Sequence, residues 1–474
     1  MKVLLSLFLA AGSFVGMGVT QQLPYAIDTP DNIRKSAATI AWDMLQYYHG
    51  NESGKVPGIL PGPPASGEGP YYWWQGGAMW GTLIDYWYLT GDDTYNDLVK
   101  QSMLFQVGPN RDYMPPNYTI TMGNDDQGFW GMSAMVAAET KFPDPPKDEP
   151  QWLALAQAVF NSMATPDRWQ EDTCGGGLRW QVPFSNLGYN YKNSISNGCF
   201  FNLGARLARY TGNETYAKWA DKTWDWMLGV GFMGKDNEAL YDGAHVETNC
   251  TDINRQEYSY NNAVFTLGAA HMYNYTNGDE KWKTRLNKLI DHGFDKFFPK
   301  DIAFEPQCEE SETCTTDMKS FKGYMHRWYA TTTHVAPFTA ERILPVLKKS
   351  AAAAIKVCTG GQNSRRCGYS WAAGRYDSKE GAGQQMNALG AVSSLLIPQS
   401  KAPVTGDTGG TSKGDPNAGS NSNEEIKPGR AITTGDKVGA AVLTFVVLGT
   451  TISMFGWMCI SAGESPTVVI EGRP

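Results

Sequence analysis

A repeat constrains this chain more than any single motif. Between residues 28 and 396, a Gly/Ala-rich segment of helical period alternates with a more polar, amphipathic one. The first kind recurs as QGGAMWGTLIDYWYLTG (75–91), NDDQGFWGMSAMVAAE (124–139), KNSISNGCFFNLGARLARYTG (192–212), EYSYNNAVFTLGAAHMYNYTNG (257–278), FKGYMHRWYATTTHVAP (321–337) and GAGQQMNALGAVSSLL (381–396). The second kind occupies 28–48, 93–108, 150–163, 214–229, 280–294 and 338–358. Starts of the first kind lie roughly 50 to 70 residues apart, enough for a helix pair with its loops. Small residues let helices approach, while an amphipathic helix needs one face covered. Six close-packed inner helices sheathed by six outer ones make an all-α (α/α)6 barrel, here spanning residues 23–400. The alternative, an open helical solenoid, repeats more regularly and at roughly 34–45 residues.

The inner segments open on polar and aromatic side chains, so one mouth of the barrel collects them. At the second start stands Gly123-Asn-Asp-Asp-Gln-Gly-Phe129, with Asp125 and Asp126 side by side. Glycoside hydrolysis uses one carboxylate to attack or to activate water, and one carboxylic acid to protonate the leaving oxygen. Close carboxyl groups also split their pKa values, since both do not ionise easily together. The plain structural alternative is an aspartate N-cap with a solvated neighbour. Against it stands the company on the same rim: Trp73, Trp74 and Gln75; Asn124 and Gln127; Tyr189, Lys192, Asn193 and Asn197; Tyr258 and Asn261; and Lys322, Arg327 and Trp328. Amides and aromatics converging on two carboxylates describe a carbohydrate cleft, because flat rings cover the C–H faces of sugars. The sixteen Trp and 23 Tyr of the chain suit that use as well as a large core. Trp73, Trp74 and Trp328 are expected to bound a short cleft. Lys192 or Arg327 is the expected neighbour that lowers the pKa of Asp125.

Other classes are disfavoured. The balance is mildly acidic, 48 Asp+Glu against 40 Lys+Arg, and no basic cluster points to nucleic acid. Six scattered His and the absence of a CxxC pair give no metal spacing, and no cofactor motif occurs.

Both termini carry signals. MKVLLSLFLAAGSFVGMGVTQQ reads as a secretory signal peptide over residues 1–20. Sequons at Asn51, Asn117, Asn213, Asn249 and Asn274 agree with that route. In an oxidising compartment, Cys308 with Cys314 and Cys358 with Cys367 are spaced for short disulfide loops. Cys174, Cys199 and Cys250 leave one odd thiol that spacing does not identify. Residues 401–437 are rich in Gly, Ser, Asn, Thr and Pro and read as a disordered stalk. An uncharged run, VGAAVLTFVVLGTTISMFGWMCI, follows at 438–460. With the stalk it forms a GPI-attachment pattern over 438–474, with Asn417, Gly419, Ser420 or Asn421 as attachment residues. A single-pass membrane helix is the rival, though no Lys/Arg cluster follows the run.

The motifs GNDDQGFWGMSAMVAAE, YKNSISNGCFFNLGARLARYTGN, YSYNNAVFTLGAA and FKGYMHRWYA resemble the fungal endo-α-1,6-mannanases of glycoside hydrolase family 76, over roughly residues 23–400. The signal peptide, stalk and tail resemble its GPI-anchored cell-wall branch. That resemblance implies an (α/α)6 fold and a retaining mechanism, with Asp125 as nucleophile and Asp126 as general acid/base. It also implies an α-1,6-mannoside or the mannose core of a GPI anchor as donor, and water or β-1,6-glucan as acceptor. The expected location is the outer face of the plasma membrane and the cell wall. The alternative from another class is a non-catalytic, mannan-binding wall adhesin, which has no use for two adjacent carboxylates.

Overall fold

A computed structural model describes residues 24–236, 238–419 and 434–461. In chain order the helices are α1 (Pro30–Leu45), α2 (Trp73–Thr90), α3 (Asn96–Phe105), the single turn α4 (Pro116–Thr119), α5 (Asn124–Thr140), α6 (Trp152–Met163), α7 (Ser194–Thr211), α8 (Glu214–Val230), α9 (Ser259–Tyr275), α10 (Glu280–Phe297), α11 (Phe321–Val335), α12 (Ala340–Lys356), α13 (Ala382–Ser393) and α14 (Thr434–Ser461). Inner helices α2, α5, α7, α9, α11 and α13 each pack on the next, and α13 returns to α2. The ring is therefore closed, as the repeat predicts. Outer helices α3, α6, α8, α10 and α12 each cover the inner helix that precedes or follows them, and α1 lies on α13.

Close approach explains the glycine-rich inner sequences. A Cβ on Gly77 of α2 would meet the Trp130 ring of α5 at 2.8 Å, and one on Gly198 of α7 would meet Val264 of α9 at 2.6 Å. Helix ends follow local chemistry. Asn193 caps α7 by accepting from the Ser196 amide (3.2 Å), and Gly212, with φ of 69°, ends it in the left-handed region.

Connections alternate in length. Inner helices α2, α7, α9 and α11 turn within five residues into their outer partners, whereas each outer helix leads into a long loop before the next inner helix. Those long loops gather at the end where the inner helices begin, and they build the mouth. There β1 (Tyr191–Asn193) pairs antiparallel with β2 (Gly243–His245), Lys192 opposite Ala244. Cys174–Cys250 ties two of these loops together, while Cys308–Cys314 and Cys358–Cys367 close shorter ones. The odd thiol is Cys199, buried in α7. The five sequon asparagines are exposed. Asn274 also accepts from Arg209 Nε (2.8 Å) and donates to the Val335 carbonyl (3.0 Å).

The opposite end of the barrel corrects one expectation. A disordered stalk was expected from residue 401, yet the chain through Gly419 straps the barrel. Val404 N donates to the Glu139 carbonyl (2.8 Å), and Asp415 N to Gln157 Oε1 (2.7 Å). Arg209 reaches the Pro403 carbonyl (2.8 Å), and Asn161 Nδ2 reaches those of Pro416 (2.9 Å) and Ala418 (2.8 Å). A segment poor in apolar side chains docks here because its backbone groups meet polar side chains and a helix-end carbonyl on the barrel. Composition alone reports only the missing apolar side chains. Deleting residues 401–419 is expected to lower unfolding stability by roughly 2–5 kcal/mol, a handful of hydrogen bonds less the ordering entropy. Denaturant midpoints of the intact and shortened proteins check this.

The described residues divide into two compact units, one within 1–423 and the other within 424–474. Within the second, α14 is long and apolar enough to cross a membrane, with mean hydropathy 2.0 over Lys437–Phe455. The expected signal peptide at 1–20 and the attachment candidates Ser420 and Asn421 lie outside the described residues.

Candidate active site

The two aspartates occupy the first turn of α5, where unpaired helical amides favour negative charge. Asp126 Oδ2 accepts from the Gly123 amide at 2.7 Å. Asp125 Oδ1 accepts from the Ser196 hydroxyl of α7 at 3.3 Å, and its carboxylate also takes backbone amides of its own turn. Gly123 has a steric reason: a Cβ there would lie 2.4 Å from Asp125 Oδ1.

A third carboxylate faces them. Asp317 stands in the turn just before α11, diametrically across the six-helix ring from α5. Trp74 Nε1 of α2 donates to its Oδ1 at 3.1 Å. Burial pushes Asp125 up to about 7, with Asp317 adding to the rise, while the amides and Ser196 oppose it. Asp126 is raised well above the usual carboxylate range by burial, then by the charge of Asp125 and that of Asp317. Burial lifts Asp317 itself to about 6, against the Trp74 hydrogen bond. The pair thus divides in a definite sense. Asp125, with more donors, is the easier to ionise; Asp126, facing that charge, keeps its proton.

Beneath the carboxylates lies an aromatic floor. Trp74 packs on Phe129 with ring centroids 4.6 Å apart, Phe129 on Tyr324 at 5.4 Å, and Tyr324 on Trp328 at 5.7 Å. Tyr260 stacks on Phe321 at 3.8 Å, and the charges of Asp125 and Asp317 both reach it. Tyr258 meets Phe321 edge-on at 6.1 Å. Trp74 and Tyr258 stand in the cup, and Trp328 is its floor rather than its wall.

Most of the other expected contact residues turn away to hold the scaffold. Trp73 is sandwiched by Trp130 (5.0 Å) and Tyr118 (5.8 Å), its indole donating to Gln106. Gln75 caps α2 by accepting from the Tyr72 amide (3.0 Å). Asn124 spans the Arg179 carbonyl (2.9 Å) and Arg168 Nε (3.0 Å), and Gln127 binds the Asp112 carbonyl (2.8 Å), Ser162 and Arg168. Asn197 clamps both backbone groups of Leu178, and Tyr189 lies under the Arg179 guanidinium at 4.4 Å. Lys192 donates to three carbonyls of the 170–176 loop, those of Gln170, Thr173 and Gly176. Lys322 pairs with Glu309 at 2.7 Å, and Arg327 with Asp85 at 2.6 Å toward the closed end. Neither Lys192 nor Arg327 lowers the pKa of Asp125: Arg327 is paired with Asp85, burial pulls the Lys192 ammonium down to about 7, and burial moves the Asp125 carboxyl upward. Among the expected amides, Asn261 is enclosed with neither amide atom paired to a described protein group, a position that a water or ligand hydroxyl satisfies.

Asp317 and Ser196 escaped the sequence reading. Asp317 sits in TTDMKS, indistinguishable from an ordinary cap, and only ring closure brings it opposite Asp125. Among the described residues no metal-binding cluster occurs.

Residues 32–407 match the profile of glycosyl hydrolase family 76. The chain belongs to that family. Mannan endo-1,6-alpha-mannosidase DCW1 of Saccharomyces cerevisiae is 41% identical, over 90% of this chain and 93% of its own length. A putative mannan endo-1,6-alpha-mannosidase of Schizosaccharomyces pombe, C970.02, is 46% identical over 83% of this chain and 88% of its own. The crystal structure of Dfg5 from Chaetomium thermophilum in complex with glucosamine has a TM-score of 0.82 and 57% identity, covering 84% of this chain and 98% of that one. An inactive variant of the alpha-1,6-mannanase GH76A from Salegentibacter, solved with α-1,6-mannotriose, has a TM-score of 0.61 at 15% identity, covering 77% and 99%. That distant likeness concerns the fold, an (α/α)6 barrel in this family. As a family 76 member the chain is a glycosidase.

Proposed function

We propose that this protein is a retaining, endo-acting α-1,6-mannosidase and transglycosidase of the fungal cell wall, working through Asp125 and Asp126. The observation that carries the reading is the unequal pair: two adjacent carboxyls, one held ionisable by amides and Ser196, the other kept protonated by its neighbour. Asp125 attacks the anomeric carbon of an α-mannosyl unit while Asp126 protonates the departing oxygen. Asp126 then takes a proton from the acceptor hydroxyl as the ester to Asp125 breaks. An adhesin gains nothing from carboxyls buried at the cost of raised pKa values.

Relatives named mannan endo-1,6-alpha-mannosidase support an α-1,6-mannoside as donor. The glucosamine complex of the Chaetomium relative supports a GPI-core glycan, which carries that amino sugar next to its mannoses. The apolar α14 supports a lipid or membrane anchor at the outer face of the plasma membrane. Water and β-1,6-glucan compete as acceptors. Incubation with α-1,6-mannotetraose, with and without labelled β-1,6-gluco-oligosaccharides, tests both: shorter mannosides and a mannosyl–glucan adduct are expected. No turnover of any α-mannoside contradicts the reading.

Asp317 supplies a pH prediction. Its charge raises Asp126, so Asp317→Asn lowers the pKa of the acid. The alkaline limb of kcat/KM, which follows loss of the acid's proton, is expected to move to lower pH. An unmoved limb contradicts the electrostatic role.

A further inference from the structure

A second cavity opens on the mouth face beside the catalytic cup. It has a volume of about 390 Å³ and lies between the loop entering α11 and the loop entering α13. Its lining includes Lys319, Tyr369, Ser370, Arg375, Tyr376 and Asp377. None of the groups assigned to the cup lines it. The two are nonetheless neighbours, because Asp317, in the cup, precedes Lys319 by two residues.

The walls are preformed. Cys308–Cys314 closes one loop and Cys358–Cys367 the other. Ser370 Oγ donates across to Glu309 Oε1 (3.0 Å), and Tyr369 OH to the Met318 carbonyl (3.3 Å). Asp377 accepts the amides of Tyr369, Ser370 and Lys379. Tyr376 lies flat on Gly360, where a Cβ would come within 2.0 Å of the ring, so one ring face is packed and the tyrosine is fixed as a wall. The acids are engaged: Glu309 with buried Lys322, Glu312 with Lys379. Among the described residues, Lys319 and Arg375 have no ion-pair partner, and they line the space together with the rings.

Aromatic walls, hydrogen-bonding side chains at fixed positions and closely balanced charge suit a neutral polyhydroxyl chain. We propose that this cavity is a non-catalytic glycan site that holds a β-linked glucan acceptor beside the cup. The inference rests on the transglycosidase reading above and adds where the acceptor is held. Anchored there, a glucan presents a terminal stretch to the glycosyl-enzyme at high effective concentration. Its hydroxyl oxygen bonds the anomeric carbon, its proton passes to Asp126, and the ester to Asp125 breaks. Without that anchor, water takes a larger share of the intermediate.

Titration calorimetry with a β-1,6-linked glucose tetramer tests this on the Asp125→Asn protein, which does not consume donors. Saturable binding is expected, weakened about tenfold by adding Tyr376→Ala, the loss of one aromatic contact. Arg375→Ala, at an exposed residue without an ion-pair partner, is expected to weaken it too and to lower the transfer-to-hydrolysis ratio of the otherwise wild-type enzyme. Absent binding, equal affinity in both variants, sensitivity to Trp74→Ala alone, or displacement by inorganic phosphate or α-1,6-mannotetraose overturns the proposal. Turnover of mannotetraose by the wild type is scored separately, so failure of the glucan site and failure of the mannosidase reading give different results.

Discussion

Asp125→Asn and Asp126→Asn are each expected to lower kcat on α-1,6-mannosides by roughly three to six orders of magnitude, with the helical circular dichroism unchanged. The first removes the attacking charge and the second the transferable proton. Both asparagines keep an acceptor oxygen, so the hydrogen bonds from Ser196 and from the Gly123 amide persist and the start of α5 stays capped. Alanine at 126 would instead lose the Gly123 partner as well, at a cost of about 1 kcal/mol to the helix. The two variants should differ in kind. A donor with a good leaving group, such as an aryl α-mannoside, needs little protonation, so Asp126→Asn should retain part of its activity there while Asp125→Asn does not. Initial rates on mannotetraose and on the aryl mannoside separate the roles, and near-normal turnover in either variant refutes the assignment.

The largest stability effect is expected at the closed end of the barrel. Arg206 of α7 and Glu139 of α5 are almost wholly buried and meet at 2.6 Å, with Arg206 also donating to the Met132 carbonyl and Asn202. His271 Nδ1 approaches Glu139 at 3.8 Å, but burial and the nearby Arg209 and Arg206 hold that imidazole neutral. It offers no replacement charge. Arg206→Met therefore strands a buried carboxylate and is expected to cost about 3–5 kcal/mol. Replacing both partners by apolar residues should recover most of that loss, because desolvation of the pair vanishes with it. Urea midpoints of the single and double variants measure the difference; equal destabilisation in both would show that packing, not charge, holds α5 to α7.

The fold was legible because its cause is local. Glycines such as Gly77 and Gly198 mark the points where inner helices touch, and they recur in the sequence as they recur around the ring. The aspartate pair was legible for a similar reason, being adjacent in the chain. Its surroundings were not. Asn197, Gln127 and Lys192 are the residue types of a sugar site, yet the first turns of α7 and α5, and the strand β1 that holds Lys192, face their neighbours on several sides. These three satisfy loop carbonyls and amides instead. Polarity at a helix start cannot say which side a residue faces. Asp317 shows the converse, a loop aspartate given its importance by a helix on the far side of the ring. The strap over residues 401–419 was missed because its binding lies in backbone groups, which carry no signature in side-chain composition.

In the proposed double displacement, Asp125 carries the sugar. Retaining enzymes place their carboxyls about 5 Å apart, and inverting ones roughly 6.5–9.5 Å apart with a water between. Neighbouring residues in one helical turn suit the former. Proton NMR of the first sugar released from α-1,6-mannotetraose, recorded before mutarotation, decides between them. Double displacement gives the α-anomer as the initial product; initial release of the β-anomer refutes it.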